Sequence, residues 1–138
     1  MAEEPAPAPA TPACVPCESL DASHLLPPDR VDAELAAMPM WRRKDANRIV
    51  RAYTARNFQC AMDSLVAIGK IAERERHHPD VHLTGYRNVE VVLYTHSVGG
   101  ITANDIALAK MIDAEVAFGY SPKWLKSHLE AEKERGAT

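Results

Sequence analysis

The sequence lacks any long apolar run and any recognisable targeting segment. None of its 138 residues belongs to a stretch close to the roughly 18 apolar residues of a membrane-spanning helix. The start, Met1 to Pro5, carries two glutamates where a signal peptide has basic residues and then an apolar core. We therefore expect a cytosolic protein without membrane association, one that can also be present in the nucleus.

The chain also lacks an excess of basic charge. Its formal net charge is −3 and its isoelectric point is near 6.1. Domains that bind nucleic acid usually carry a basic patch that neutralises phosphates. Direct nucleic-acid binding is therefore not expected.

Cysteine is scarce, with three residues in the whole chain. Cys14 and Cys17 have C-x-x-C spacing, but a structural zinc site needs a complete tetrahedral ligand set and there is no second such pair. We expect no metal, and the pair stays open as either redox-sensitive or structural. Cys60, in a predicted helix, is most simply a small buried apolar residue.

The first residues have the composition of a tail. Residues 1–13 include four prolines and five alanines, a composition that cannot bury a core. We expect residues 1–24 to be a mobile tail, residues 25–118 to form one domain and residues 119–138 to add a C-terminal helical extension.

The first half of the domain predicts a helix, a hairpin and a long helix. The first helix begins at Pro27-Pro28, and the hairpin has Arg48 to Thr54 as its second strand. Asn57 is the expected N-cap of the long helix, from about Phe58 to Arg76. The apolar stripe of this helix is wider than one sheet face needs, and the excess is a candidate oligomer surface.

The second half predicts two more strands and a helix. The strands are residues 81–84 and 88–96, and Gly99-Gly100 permits a tight loop. Thr102 to Asp105 has the form of a capping box that opens a helix to about Val116. Grouped hairpins favour an α+β fold, with an antiparallel four-stranded sheet covered on one face by helices.

Four of the six histidines, His77, His78, His82 and His96, fall within twenty residues. Such a cluster can give and take protons near neutral pH. The alternative is structural, because adjacent histidines are often surface residues and a histidine in a strand is often a satisfied half-buried one. Glu73 lies four residues before His77, so the two are expected to be neighbours on one helix face if the helix runs as far as His77.

A spaced signature runs through this region. It consists of an acid, a His-His-Pro triplet, an aromatic residue, a Thr-His pair and a later acid, namely Glu73, His77-His78-Pro79, Tyr86, Thr95-His96 and Asp105. This series resembles the signature of the pterin-4a-carbinolamine dehydratases, and the resemblance covers roughly residues 38–117. Taken alone, Asp105 has a simpler explanation, because an acid in the first turn stabilises a helix.

The resemblance implies both an activity and an assembly. Members of this family dehydrate 4a-hydroxytetrahydropterin to quinonoid dihydropterin and water in tetrahydrobiopterin recycling. They need no metal or organic cofactor, and they form homodimers or homotetramers. At the matching positions His77, His78 and His96 are implied to be catalytic. His78 and His96 would transfer protons, and His77 would bind and orient the pterin ring or assist. Supporting or substrate-binding roles are implied for the rest of the motif: Glu73, Pro79, Thr95 and Asp105.

A non-enzymatic function is the alternative. Some members of the wider family lack the His-His pair and act as assembly chaperones, and animal relatives also serve as partners of a transcription factor. This chain keeps His77, His78 and His96, a set that a purely structural module does not require. The hydro-lyase interpretation is therefore preferred.

Overall fold

The structure is a computed structural model that describes residues 19–128. Residues 1–18 of the predicted tail, with Cys14 and Cys17, lie outside the described residues, as does the charged end after residue 128. A short 3-10 turn at Ala22–His24 comes first. The elements that follow are α1 (Pro28–Ala36), β1 (Arg42–Asp45), β2 (Arg48–Thr54), α2 (Phe58–Glu75), β3 (Asp80–Thr84), β4 (Asn88–Leu93), α3 (Ala103–Glu115) and a helical segment, α4, at residues 122–128.

The four strands form one antiparallel sheet in the order β1-β2-β4-β3. Ile49 of β2 is opposite Leu93 of β4, and Val81 of β3 is opposite Val91. The predicted α+β fold is confirmed. The last strand is shorter than predicted, because β4 ends at Leu93 and the chain then turns.

Helix α2 begins and ends at identifiable signals. The side chain of Asn57 accepts a hydrogen bond of 2.8 Å from the Cys60 N–H, as predicted for an N-cap. At the other end Arg76 is left-handed, with φ 53° and ψ 37°, a conformation that stops a right-handed helix. The helix therefore stops at Glu75, and His77 leaves in a new direction.

One face of the sheet carries the core. Alternate residues of β2 and β4 point to this face, as the period of a strand requires. They are packed against buried apolar side chains of α1, α2 and α3. Helix α3 buries residues on several sides, so it is a core helix. The buried apolar strand residues on this face are Ile49, Tyr53, Val89, Val91 and Leu93.

A buried arginine connects the sheet to the chain after α3. Arg51 is 3% exposed, and its Nε donates to Asp113 Oδ1 at 3.0 Å while Nη2 donates to the Tyr120 hydroxyl at 2.7 Å. The guanidinium also lies 3.9 Å from the ring centre of Phe118, a cation–π contact. Trp41 donates to the same Asp113 oxygen at 2.9 Å.

The C-terminal extension reaches the opposite face of the sheet. Ser121 N–H donates to the Thr54 carbonyl at 2.9 Å, and α4 begins at the next residue. Trp124 of α4 stacks on Tyr120 with 5.0 Å between ring centres. It also borders a shallow cleft with Ala52 and Glu90, which face away from the core. Residues 119–128 of the extension therefore pack on the domain.

No helix among residues 19–128 has both the length and the apolar character needed to cross a membrane. Cys60, predicted to be a small buried apolar residue, is half-buried on α2 and packs against the core. A side chain at Gly119 would meet its sulfur at 2.9 Å.

We expect Arg51→Met to lower the free energy of unfolding by about 2 to 3 kcal/mol, because Asp113 loses a buried partner. Asp113 is partly exposed, so the loss falls below that of a fully buried pair. Urea denaturation measures it, and Arg48→Met is the matched control. Arg48 lies on the same strand and pairs with Asp45 at the surface, so its removal should have little effect. Equal losses in the two variants would contradict the role of Arg51.

Candidate active site

A buried carboxylate lies at the centre of the site. Asp105, in the first turn of α3, is 0% exposed. Its Oδ2 accepts hydrogen bonds from the Thr102 N–H and from the Thr95 hydroxyl, both at 2.9 Å. Thr102 is the N-cap of α3, so the predicted capping box is present. The positive end of the helix also favours a negative charge at this position.

A directed chain of hydroxyl groups supports the same carboxylate. The Asn104 N–H donates to Thr102 Oγ1 at 3.2 Å, and the Thr95 hydroxyl donates to Asp105. The two threonine hydroxyls are 2.7 Å apart. Because the Thr95 hydrogen is used on Asp105, the Thr102 hydroxyl donates to Thr95. Each hydroxyl therefore has one orientation.

The remaining carboxylate oxygen holds His77. His77 Nε2 lies 2.5 Å from Asp105 Oδ1, and the histidine is 1% exposed. As a carboxylate Asp105 accepts all of these bonds, so Nε2 is a protonated ring nitrogen of His77. The tautomer and ring orientation of His77 are thus set by a group from α3.

The predicted pairing of Glu73 with His77 is wrong. It assumed that α2 continues to His77, but the left-handed Arg76 ends the helix first. Glu73 instead contacts the next residue, with Oε2 at 2.6 Å from His78 Nε2. The side chains of Glu73 and His78 are 78% and 61% exposed, so this pair faces solvent. Pro79 follows, and β3 begins directly after it.

His96 lies in a tight turn after β4. The Thr95 N–H donates to the Gly100 carbonyl at 2.8 Å, and the Gly99 N–H donates to the Thr95 carbonyl at 2.9 Å. Gly99 has φ 65°, which glycine adopts without strain. The buried Thr95 points inward, and the next side chain, His96, points outward to solvent.

Asp105 brings the two histidine-bearing segments together. It bonds His77, which is adjacent to the exposed His78, and Thr95, which is adjacent to the exposed His96. Two exposed imidazoles are therefore attached to one buried network, and each can exchange protons with a bound molecule.

Tyr86 and His82 lie away from the network around Asp105. Tyr86 lies in the β3–β4 turn with φ 57° and is exposed. The histidines lie at the other end of that hairpin, which is about 17 Å away for a strand of this length. His82 lies within β3 and borders the cleft beside Trp124.

The sequence did not indicate which side chains the candidate site residues contact. Thr102 was predicted only as part of a helix cap, and its hydroxyl contact to Thr95 crosses from one segment to another. Tyr94, whose ring lies 4.2 Å from that of His96, was not predicted as a site residue. The signal was present, because residues two apart in a strand share a face.

Among residues 19–128 no group of three or more His, Cys, Asp or Glu side chains is arranged to hold a metal ion. Residues 14 and 17 lie outside that range.

Known proteins and one protein family are similar to this region of the chain. The family profile described as pterin 4 alpha carbinolamine dehydratase matches residues 24–115. An Arabidopsis thaliana protein, pterin-4-alpha-carbinolamine dehydratase 2, mitochondrial, is 33% identical over 102 residues, covering 72% of this chain. The match spans about half of that relative, 54% of its length.

Bacterial proteins also match. A Mycobacteroides abscessus relative, named provisionally as the same enzyme, is 41% identical over 92 residues, which cover 67% of this chain and 96% of the relative. A Brucella melitensis crystal structure, described as a transcriptional coactivator/pterin dehydratase, has a TM-score of 0.62 and 29% sequence identity. That similarity covers 67% of this chain and 99% of the Brucella chain.

We expect Asp105→Asn to lower the free energy of unfolding by about 1 to 3 kcal/mol, because an amide has one acceptor oxygen where the carboxylate has two. If that oxygen keeps Thr95 and Thr102, the amide NH2 faces the Nε2–H of His77. The imidazole must then lose this bond or move its proton to Nδ1.

Urea denaturation and nitrogen-15 NMR of the His77 ring measure both effects. Asp63→Asn is the control, since Asp63 is an exposed acceptor on α2. A stable Asp105→Asn protein with an unchanged His77 tautomer would show that the carboxylate does not set the imidazole.

Proposed function

The chain belongs to the pterin-4a-carbinolamine dehydratase family, and we propose that it is a hydro-lyase that dehydrates 4a-hydroxytetrahydropterin to quinonoid dihydropterin and water. One observation carries the proposal. Two exposed histidines, His78 and His96, follow residues that bond the same buried carboxylate.

The reaction needs an acid and a base. Hydroxide is a poor leaving group, so the oxygen on C4a must receive a proton as the C4a–O bond breaks. The N5 proton leaves to a base, and the electrons of the N5–H bond form the new double bond. Placed general acids and bases each contribute about 100- to 10,000-fold. Both steps are proton transfers, so the proposal requires no cofactor.

We assign proton transfer to His78 and His96, in either order. Both imidazoles are exposed, so a pterin can contact them. Glu73 hydrogen-bonds His78, and we propose that it orients this ring. Pro79 would restrict the backbone of His78, because proline limits the conformations of the residue that precedes it.

His77, Asp105 and Thr95 have supporting roles in this proposal. The family resemblance implied that His77 binds and orients the pterin or assists the other histidines. The His77 ring is 1% exposed and its Nε2 bonds Asp105 inside the protein. We therefore propose that His77 supports the position of His78. Asp105 and Thr95 would hold His77 and the turn that carries His96.

The biological context is part of the same proposal. Recycling of tetrahydrobiopterin is the expected use, but none of the described side chains identifies the substituent on the pterin. A cytosolic location stays a prediction, and the Arabidopsis relative is named as mitochondrial.

We also propose a homo-oligomer, either a dimer or a tetramer, through α2. Phe58, Met62 and Val66 are exposed, and their spacing of four places them along one side of the helix. An exposed apolar stripe of this kind commonly marks a protein contact. A polar row of the same helix, Gln59 and Asp63, lies beside it and is internally hydrogen-bonded.

A binding module is the second candidate function. The Brucella protein is described as a coactivator as well as a dehydratase, and the α2 stripe gives this chain a surface that another protein can occupy. Such a module would use the stripe and leave His78 and His96 without a role.

We expect His78→Ala and His96→Ala each to lower turnover by at least about ten-fold. Thermal stability should change little, because both side chains are exposed. Stopped-flow absorbance of 4a-hydroxytetrahydropterin measures its decay in buffer, with wild type and with each variant. His82→Ala is the matched control, an exposed histidine on β3 that should retain full turnover.

If 4a-hydroxytetrahydropterin decays no faster with folded wild-type protein than in buffer, the dehydratase proposal is rejected and the binding module is favoured. Parallel losses of stability and turnover in the two variants would instead indicate structural histidines.

We expect Val66→Glu to shift the chain towards monomers, because a carboxylate cannot be buried unpaired in an apolar interface. Sedimentation velocity measures the distribution. Gln59→Glu adds the same charge to the polar row of α2 and should leave the assembly unchanged. An unaltered oligomer in the Val66→Glu protein would exclude the stripe as the interface.

A further inference from the structure

Tyr94 contacts one of the proposed proton-transfer residues directly. Its ring centre is 4.2 Å from that of His96, with 35° between the ring planes. The two residues are separated by the inward-facing Thr95, so they share the outer side of the chain. Residues two apart on a strand do not meet ring to ring unless the side chains lean towards each other.

The sheet register places Tyr94 at the same end of the β3–β4 hairpin as the other histidine. Asp80 of β3 is opposite Val92 of β4. His78 lies two residues before Asp80, and Tyr94 lies two residues after Val92. In an antiparallel pair the start of one strand and the end of its neighbour lie at one edge of the sheet, so Tyr94 and His78 are both at that edge.

Charge near Tyr94 is consistent with this placement. Ile49 of β2 is opposite Leu93, so Arg48 approaches Tyr94 from the other side. The pKa of Arg48 is raised by its hydrogen bond to Asp45, with smaller contributions from Tyr94 and Asp80.

A role in the core does not account for Tyr94. It is half-buried, and it is not a member of the described core cluster or of the side chains packed against it. Tyr120, by comparison, packs against that cluster and bonds Arg51.

We infer that Tyr94 is a positioning residue of the site, whose ring contacts the His96 imidazole and fixes the direction in which its nitrogens meet the pterin. The inference rests on the proposed dehydratase function. An exposed histidine in a turn otherwise samples several rotamers, and only some of them direct a nitrogen at the reacting atoms. Holding the productive orientation before the substrate binds increases the rate of the chemical step.

The test compares Tyr94→Phe with Tyr94→Leu. The phenylalanine variant keeps the ring contact, so its turnover should stay within about two-fold of wild type. The leucine variant loses it, and we expect kcat to fall by about ten-fold with KM nearly unchanged. If Tyr94 were purely structural, Tyr94→Leu would not lower kcat while leaving KM unchanged, and Tyr94→Phe would not restore turnover.

A second readout needs no substrate. The carbon-bound protons of His96 should show a ring-current shift in wild type and in Tyr94→Phe, and lose it in Tyr94→Leu. Proton–carbon NMR spectra of the folded proteins measure this, with His82 as an internal reference.

Three results would overturn the inference. If wild type is active and Tyr94→Leu turns over equally fast, the role of Tyr94 is overturned and the dehydratase function is not. Equal loss in both variants would assign the effect to the hydroxyl and not to ring contact. An inactive, folded wild type would reject the dehydratase function and this role together.

Discussion

The site depends on one interaction, the burial of the Asp105 carboxylate. A buried charge is stable only when its hydrogen bonds are satisfied. Here the bonds come from the start of α3, from Thr95 after β4 and from His77 after α2. Satisfying the charge therefore brings three distant segments of the chain to one point. The two exposed histidines are the next residues along two of those segments.

Helix α3 is held by charged groups near both of its ends. Asp105 bonds His77 in its first turn, and Asp113 in its last turns accepts from the buried Arg51. Glu115 accepts two hydrogen bonds from Arg74 of α2, at 2.8 and 2.7 Å. A helix fixed along its length gives the network a rigid base, which sites of acid–base chemistry require.

Local signals predicted the fold well where they act within a few residues. The cap at Asn57, the capping box at Thr102 and the antiparallel hairpins are all observed. The pairing of Glu73 was predicted wrongly, because helix periodicity gives no sign that Arg76 becomes left-handed. The burial of Arg51 was also invisible, since a charged residue in a strand normally predicts solvent exposure.

The contacts around the site were the hardest part to predict. Sequence identified His78 and His96 as candidates, and it gave Asp105 a simple role in a helix cap. The bond from Asp105 to His77 spans 28 positions, and no local periodicity encodes such a contact. Tyr94 became a candidate only when its ring was seen against His96.

The most direct test of the central claim is a crystal structure with a bound 7,8-dihydropterin. We predict that the C4a–N5 edge of the pterin lies between His78 and His96. A nitrogen of each ring should be within about 2.6 to 3.2 Å of that edge, or joined to it by one water. His77 should remain buried on Asp105. A pterin bound elsewhere, or one whose reacting edge contacts neither histidine, would contradict the account.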